Sequence, residues 1–428
     1  MNKFFVSMGL IAAGTAGLHA AYAPDLGPLA ASKIWSVSGT LRGFYDDNYQ
    51  TAPAGSVKGS FGIEASPEFD LNMALQQTEL GLRGIYGLYY YQERQNLGQN
   101  PYDQTLQLDL WVDHAFTERW QGKVLDSFVL GQEPELIGGG QVTRVEGNNI
   151  RNTGTLTLDT IWTRLFSTEF TYGNTIYDYE NSGATDANFA ATGASLAGLL
   201  NRIEQTISLD FQWTQSPETM TFIGGAFNWV DYTGDEPIAQ VGPASFLNSD
   251  TRNARSFLGY VGLQHTFLAN LNFNGKAGIQ YVDNYNDPSA STSLNPYADL
   301  SLVYTYLPGS YLQAGFTQGI NATDQINPTA NGHIALFQES STLYASLNQK
   351  LTPKLTGTTI GRWQHSVYNG GAFDGQADDY YSLGLNLSYA FSPHVSADAG
   401  YNFDYLQSQI PGNEYHRNRV YLGVTATY

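Results

Sequence analysis

The chain of 428 residues contains no cysteine, and few of its residues carry a charge. The missing cysteine excludes disulfides, cysteine-based metal sites and attachment to lipid through an N-terminal cysteine. Only 14% of residues are charged, and 20 basic residues stand against 39 acidic ones, for a formal net charge of −19. Because a chain of this charge repels phosphates, we expect no nucleic-acid partner.

Long apolar runs are also missing from this sequence. The longest, from Phe4 to Leu18, follows Lys3 and precedes small residues, which is the order of regions in a secretory signal peptide. It is shorter than the roughly 20 apolar residues that a membrane-spanning helix needs. We therefore predict three segments: a signal peptide over 1–23, a short N-terminal segment over 24–34 and one exported domain over 35–428.

Glycine and aromatic residues are abundant instead, with 45 Gly, 29 Tyr and 14% aromatics in total. Residues of this kind, at the expense of Lys and Glu, favour β-structure whose two faces meet different solvents. Apolar and polar residues alternate along Leu106–Val112, Ile207–Trp213 and Tyr381–Phe391, so that each strand has one apolar face. The last nine residues alternate in the same way, with these apolar or aromatic positions: Val420, Leu422, Val424, Ala426 and Tyr428.

Short and long connections alternate along the chain. Short turns rich in Pro, Gly and Asn are predicted near 117–118, 216–218, 268–270, 308–310, 352–354 and 392–394. The strands between them are too long for a propeller blade and match a tilted bilayer crossing. The pattern predicts an all-β fold, a transmembrane antiparallel up-and-down β-barrel of about 18 strands, with short periplasmic turns and long outer loops. Sixteen strands remain possible because the first two strands and the stretches of weak alternation, 119–132, 154–180 and 355–367, could be miscounted.

Aromatic residues near the strand ends predict two interfacial girdles, one beside the long loops and one beside the short turns. The girdle candidates are Tyr45, Phe116, Trp213, Phe267, Tyr281, Phe391, Tyr405 and Tyr428.

Residues that could support catalysis do not group together. His365 and Ser366 are adjacent and so point to opposite faces, and His394 and Ser396 share a face at a short turn. We predict no catalytic residue, no enzyme activity and no cofactor. Metal binding stays open. The oxygens of 46–48 and 283–284 suit Ca²⁺, but a solvated acidic rim, or divalent ions that bridge to lipopolysaccharide, is favoured over a specific ion site.

The inward faces of the predicted strands carry charge. The candidate lumen cations are Arg42, Arg83, Lys276, Lys350, Arg362 and Arg419. The candidate lumen acids are Asp109, Asp113, Asp210, Asp299, Asp398 and Asp404. Opposed charged patches can orient a polar solute across a constriction. An alternative of equal weight is ion pairing that stiffens the wall.

Several short motifs resemble those of the beta-barrel porin 2 family of outer-membrane proteins. They are Phe44-Tyr45-Asp46-Asp47-Asn48, the Tyr-rich strand Leu80–Tyr91, His114-Ala115-Phe116, Asp126-Ser127-Phe128 and Gln132-Glu133-Pro134. The resemblance implies an outer-membrane barrel and brings no reaction or catalytic residue with it. Some members are associated with surface polysaccharide systems.

We therefore expect an outer-membrane, porin-like channel for passive diffusion of small polar solutes. The alternatives are a barrel that exports or anchors surface polysaccharide and, less favoured, an outer-membrane hydrolase. The expected partners are membrane lipid, lipopolysaccharide and the outer-membrane assembly machinery, which would recognise the C-terminal strand ending in Tyr428. The sequence leaves the oligomeric state open.

Overall fold

A computed structural model describes residues 33–131, 149–180, 195–242, 245–287, 291–323, 325–326, 328–329 and 331–428. They include one sheet of 18 strands and a separate two-stranded hairpin. Neighbours along the chain pair antiparallel around the sheet, and the first strand pairs with the last to close it. The predicted antiparallel barrel of 18 strands is confirmed, and the alternative of sixteen is wrong.

The barrel strands in chain order are β1 (Trp35–Asp46), β2 (Ser60–Ala74), β3 (Thr78–Tyr91), β4 (Tyr102–Ala115), β5 (Trp120–Gly131), β6 (Asn149–Ile161), β7 (Phe166–Tyr179), β8 (Arg202–Ser216), β9 (Thr219–Tyr232), β12 (Ala254–Leu268), β13 (Leu271–Asp283), β14 (Thr292–Leu307), β15 (Ser310–Asn321), β16 (Ala335–Lys350), β17 (Leu355–Gly370), β18 (Ala377–Ser392), β19 (Val395–Ser408) and β20 (Tyr415–Thr427). The separate hairpin is β10 (Pro237–Gly242) with β11 (Ser245–Asn248). Two short helices, α1 (Gln92–Asn96) and α2 (Leu196–Leu200), lie in outer loops. None of the helices in the described residues is long and apolar enough to cross a membrane.

The sequence places one strand wrongly. Within the weakly alternating stretch 154–180 the pattern predicts a strand over 154–166, but β6 spans Asn149–Ile161 and its turn to β7 occupies 162–165. The reason is a polar pair on the outer face, where the Nδ2 of Asn152 donates to the Oδ1 of Asp126 over 3.2 Å. These two polar side chains stand where apolar, lipid-facing residues are expected, so the alternation of apolar and polar residues is not visible in the sequence here.

The two faces of the barrel differ in the way a membrane requires. Along β20, Val420, Leu422 and Val424 are exposed, while Tyr421 between them is buried against the inner wall. Large exposed apolar side chains recur around the outer face of the sheet, and many buried polar ones lie on the inner face. An apolar outside and a polar inside are what lipid and water select in a spanning barrel.

Aromatic rings on the inner face lie over glycines of a neighbouring strand. In each pair the ring occupies the place that a Cβ of the glycine would take. The pairs are Phe44 over Gly62, Trp111 over Gly81, Tyr260 over Gly224, Phe222 over Gly262, Tyr344 over Gly315 and Tyr421 over Gly400. These pairs account for part of the unusual Gly and Tyr content, because a ring can cover the backbone only where no side chain stands in its way.

A hydrophobic cluster joins outer loops that leave the sheet at separate places. We call it the loop cluster; its buried members are Ile238, Ala239, Ile326, Ile334, Leu336 and Phe337. Ile238 and Ala239 belong to β10 in the β9–β12 loop, whereas Ile326 and Ile334 belong to the β15–β16 loop. Leu199 of α2 packs against the cluster from the β7–β8 loop. The cluster therefore spans the arc of the rim formed by β12, β13 and β14.

Candidate functional site: the charged lumen wall

The strands that close the barrel carry a buried ion triad on the inner face. The Arg42 Nε lies 2.8 Å from an oxygen of Asp398, and its Nη1 lies 3.3 Å from Glu64. All three side chains are less than 10% exposed. Arg42 thus links β1 to β2 on one side and, across β20, to β19 on the other. Removing one member would leave an uncompensated charge, which is costly in a buried setting.

We call the junction of β1 and β20, where the barrel closes, the seam. A second ion cluster lies on the seam nearer the outer rim. Arg417 and Arg419 of β20 both reach one carboxylate oxygen of Asp46, at 2.5 and 2.9 Å. Asp46 is fully buried. Four of the lumen candidates therefore lie on this wall at two heights: Arg42 is paired with Asp398, and Arg419 is paired with Asp46 closer to the rim, where Asp404 is the sheet partner of Arg417.

Arg83, on the neighbouring part of the wall, is also paired with acidic side chains. Its Nε lies 2.7 Å from Glu68 and 3.8 Å from Asp70, both on β2. Three acids of β2 on the inner face are absent from the lumen acids predicted from sequence: Glu64, Glu68 and Asp70. Acids at alternate positions of β2 are the signal that could have identified them, although Pro67 interrupts the strand pattern there.

Lys276 faces the lumen between two tyrosine rings. Its Nζ lies 5.1 Å from the ring centre of Tyr260 and 5.6 Å from that of Tyr297, distances at which a cation is attracted to an aromatic face. Asp299 is its partner on β14. The Tyr260 hydroxyl donates to Asp210 over 2.5 Å, so the tyrosine beside Lys276 links β12 to β8.

Three acids form a row across adjacent strands on the inner face. Asp159 of β6 is paired with Glu169 of β7, and Glu169 with Asp210 of β8. Lys123 compensates one end, with its Nζ 2.7 Å from Asp159. Three carboxylates against one lysine leave this sector of the wall acidic. Like charges placed directly opposite one another also repel.

Arg362 lies nearly opposite that row in the ring of strands, on β17. It makes one hydrogen bond, from Nη2 to the Oε1 of Gln364 over 2.6 Å. Its Nε is buried without a hydrogen-bond partner, and within the described part of the chain it forms no ion pair. The wall thus carries an acidic row on one side and an arginine without a counter-charge on the other, an arrangement that can orient a solute.

The remaining lumen candidates have individual partners. Asp109 accepts from the Ser127 hydroxyl over 2.7 Å, Asp113 from Gln121 over 2.6 Å, and Asp404 from the Tyr380 hydroxyl over 2.7 Å. Lys350 ends β16 beside a short turn, where its side chain is exposed.

The aromatic candidates lie at the two ends of the strands, on the outer face. Tyr45 and Tyr281 are exposed beside the long loops, and Tyr405 stacks on Tyr381 at a ring distance of 6.0 Å. The candidates beside the short turns and the C-terminus are all exposed: Phe116, Trp213, Phe267, Phe391 and Tyr428. Their role as interfacial girdles stays a prediction.

The carboxylate oxygens considered for Ca²⁺ accept hydrogen bonds from other side chains or backbone groups of the protein. Asp47 accepts from the backbone N–H and the side-chain amide of Asn418, at 2.6 and 2.7 Å, and Asp283 accepts from Arg255. Within the described ranges, no three His, Asp or Glu side chains group closely enough to hold a metal ion.

One row on the outer face has the composition of a hydrolase triad. Ser341, His365 and Asp379 are partners on three adjacent strands, and the His365 Nδ1 lies 3.1 Å from Asp379. The Ser341 hydroxyl, however, donates to Gln318. The row therefore lacks the hydrogen bond from nucleophile to base that activates a serine. Ser366, considered with His365 from sequence, faces inward and bonds Ser340.

Solved structures with a similar course of chain share little sequence with this one. They include the outer membrane protein OpdK of Pseudomonas aeruginosa (9% identity, TM-score 0.45), OccAB4 of Acinetobacter baumannii (13%, 0.43) and a BenF-like porin of Pseudomonas fluorescens Pf-5 (10%, 0.45). Each alignment covers 92% of this chain and 99% of the other. None of the curated proteins compared with the chain matches it in sequence.

The sequence itself matches a family model over nearly its whole length. The match runs over residues 36–428, from the second residue of β1 to the C-terminal Tyr428, so it includes every strand of the barrel. The resemblance seen in the short motifs is confirmed by this match. The chain belongs to the family described as "Putative beta-barrel porin 2".

Proposed function

We propose that this outer-membrane barrel is a porin-like channel through which small polar solutes diffuse. One observation carries the proposal: a closed barrel of 18 strands has an apolar outer face and an inner wall with charged side chains on most of its circumference. Barrels of sixteen to eighteen strands are wide enough to leave an aqueous channel between their walls. The porin family places the protein in the outer membrane.

Passive diffusion follows from the chemistry of the wall. Several lumen charges are fixed in ion pairs across neighbouring strands, such as Arg42 with Asp398 and Arg83 with Glu68, and others accept hydrogen bonds from neutral side chains. A paired wall attracts water and polar solutes without binding any one of them strongly, which lets solutes both enter and leave.

We further infer that the protein performs no catalysis and that lipid and lipopolysaccharide surround it. The porin family supports the first inference, and the exposed apolar belt supports the second. We also propose that the assembly machinery of the outer membrane recognises β20, whose outer face is apolar along its length and which ends beside the exposed Tyr428.

Planar-bilayer recording tests the channel. Refolded protein in KCl should insert with stepwise current increases whose size grows with salt concentration, and vesicles that contain it should swell in a small neutral sugar. The same protein boiled before addition is the matched control. Folded protein that inserts into the bilayer without current steps would overturn the proposal.

A further inference from the structure

We propose that the lumen wall selects by charge and that the channel passes small cations in preference to anions. The selecting feature is the row formed by Asp159, Glu169 and Asp210 on the adjacent strands β6, β7 and β8, which we call the acidic row. The proposal rests on the channel function above and deepens it, because it gives the charge of the solutes that pass.

The three carboxylates of the acidic row lie close enough to act together. Asp159 is the sheet partner of Glu169, and Glu169 is that of Asp210. Neighbouring strands lie about 4.8 Å apart, so the row covers a stretch of wall about 10 Å wide. This width is about one Debye length at 0.1 M salt, and an ion beside Glu169 is therefore attracted by all three charges at once.

The acidic row is open to the lumen. The Asp159 side chain is 25% exposed, and Glu169 and Asp210 are also partly exposed on the inner face. The side chains of Arg42 and Arg419, by contrast, are 3% and 9% exposed. A passing ion can thus approach the carboxylates of the row, whereas these two arginines are covered by the wall.

Hydrogen bonds orient the acidic row without neutralising it. Lys123 compensates the β6 member of the row, with its Nζ at 2.7 Å. Glu169 accepts from the Gln212 amide over 3.3 Å, and Asp210 accepts from the Tyr260 hydroxyl. Both donors are neutral, and within the described ranges neither Glu169 nor Asp210 forms an ion pair. Three carboxylates therefore stand against one lysine.

Lys276 lies near the acidic row but has an acid of its own. Its Nζ is 5.1 Å from the ring centre of Tyr260, whose hydroxyl bonds the β8 member of the row. Asp299 is the sheet partner of Lys276 on β14. The lysine and Asp299 together add no net charge, so the negative excess of the row remains.

Two arginines on the same strands lie too far away to cancel the row. Arg151 of β6 and Arg202 of β8 are the sheet partners of Tyr177 on β7, near the outer rim. Each is eight positions from the acid on its own strand, which is about 26 Å at 3.3 Å per residue. That is more than two Debye lengths at 0.1 M salt. The Arg202 Nε, moreover, lies 2.6 Å from Glu204.

Elsewhere on the wall, acids match or outnumber the arginines beside them. Arg42 and Arg83 each lie beside two acids. Arg417 and Arg419 share the carboxylate of Asp46, and the sheet partner of Arg417 on β19 is a second acid. None of these groups carries more positive than negative charge, so none of them favours anions.

Arg362 adds a single positive charge on the side of the lumen opposite the row. Its one hydrogen bond goes to the neutral Gln364. The negative excess of the acidic row is larger than the charge of this arginine. A cation is therefore drawn toward the row, and an anion meets more repulsion than attraction across the lumen, as in other channels lined by carboxylates.

Reversal potentials in planar bilayers test the selectivity. Refolded full-length protein is placed in a tenfold KCl gradient at slightly alkaline pH, where carboxylates are ionised. The sign of the reversal potential should show that K⁺ permeates faster than Cl⁻. Current steps with a reversal potential of zero or of the opposite sign would overturn this proposal and leave the channel intact. Folded protein that inserts without current steps would overturn both.

Glu169→Gln tests the acidic row itself. The variant removes one charge and keeps the shape of the side chain, so the ratio of K⁺ to Cl⁻ permeability should fall about twofold. Glu339→Gln is the matched control, because Glu339 lies on the outer face of β16 and accepts from Gln318 over 2.6 Å. It should keep the ratio of the unaltered protein. Equal ratios in the two variants would overturn the role of the row.

Salt dependence tests the row without any substitution. The Debye length shortens from about 10 Å at 0.1 M to about 3 Å at 1 M salt. At a constant gradient, the preference of the unaltered protein for K⁺ should therefore weaken as both salt concentrations rise. A preference that does not change with salt would contradict selection by the charge of the wall.

Discussion

At the scale of single residues, the inner wall depends on glycines that make room for aromatic rings. The Tyr421 ring of β20 lies over Gly400 of β19 and is also 5.1 Å from the Arg42 guanidinium. It belongs to a buried cluster with Phe44, Tyr49 and Tyr91. A side chain at position 400 would therefore disturb both an aromatic cluster and the ion triad at the seam.

Gly400→Val should destabilise the barrel. The added side chain takes the place of the Tyr421 ring, and overpacking of this kind typically costs about 1–3 kcal/mol. Gly43→Val is the matched control, because Gly43 lies on the outer face of β1 with nothing within 4 Å of an added Cβ. The temperature at which the folded band disappears on SDS gels should fall for Gly400→Val alone. An equal fall in both variants would contradict this role for Gly400.

The sequence indicates which residues face inward but not what they contact. Period-two alternation predicts that Arg42, Arg83 and Arg362 share the lumen, because facing depends only on the local strand. It cannot tell that two of them meet acids and the third does not, since that depends on the register between strands. The rings over glycines escape sequence reasoning for the same reason.

At the scale of elements, strand β20 closes the barrel, and the residue that follows it extends the pairing with β1. Tyr428, just beyond it, exchanges backbone hydrogen bonds with Val37 of β1, at 2.8 and 3.3 Å. Its ring lies 6.0 Å from Trp35, and the Lys33 Nζ lies 4.8 Å from the ring centre. The last residue of the chain thus extends the seam toward the short-turn end of the barrel.

Tyr428→Asp should lower the amount of barrel in the outer membrane several-fold. A carboxylate replaces an aromatic ring at the membrane interface, where aromatic residues are favoured and charge is disfavoured. Tyr428→Phe keeps the ring and should accumulate normally. The measurement is the heat-modifiable band in isolated outer membranes, and normal levels of the Asp variant would argue against the prediction.

Refolding in detergent separates recognition of β20 from its packing. If the assembly machinery reads the terminal ring, purified Tyr428→Asp should refold alone nearly as well as the unaltered chain. Failure to refold would assign the defect to the seam.

Most strand positions could be predicted because lipid and water select opposite faces of every strand. The prediction was wrong at β6, where Asn152 and Asp126 pair on the outer face. A polar pair at that position looks like an inward face to any argument from sequence period.

At the scale of the whole molecule, one arginine ties several outer loops together. Arg252 is 1% exposed, and its Nη1 donates to the Leu199 carbonyl of α2 over 2.9 Å. Its Nη2 donates to the Thr323 carbonyl in the β15–β16 loop, and its guanidinium lies over the Tyr232 ring. These bonds and the loop cluster hold together segments from distant parts of the chain, which is why no local pattern predicts them.

Arg252→Met should loosen this layer while leaving the barrel intact. Loss of hydrogen bonds from a charged donor typically costs about 1.5–3 kcal/mol, here confined to the loops. Single-channel currents should become noisier, and proteases should cut the loops of reconstituted protein faster.

Arg255→Met is the matched control for that experiment. Arg255 carries the same charge three positions along the chain, is half exposed and pairs with Asp283 on the outer face. Its loss should change neither current noise nor cleavage. Indistinguishable behaviour of the two variants would contradict the role of Arg252.

Closure of the barrel between β1 and β20 also sets the timing of its folding. The hydroxyls of Thr40 and Thr425 meet across this seam, although they are 385 positions apart in the chain. The first strand to leave the ribosome must therefore wait for the last one before its edge is paired, and an unpaired edge is a template for aggregation. A chain that stops before β20 leaves that edge of β1 open, so every such copy carries the same exposed template for aggregation.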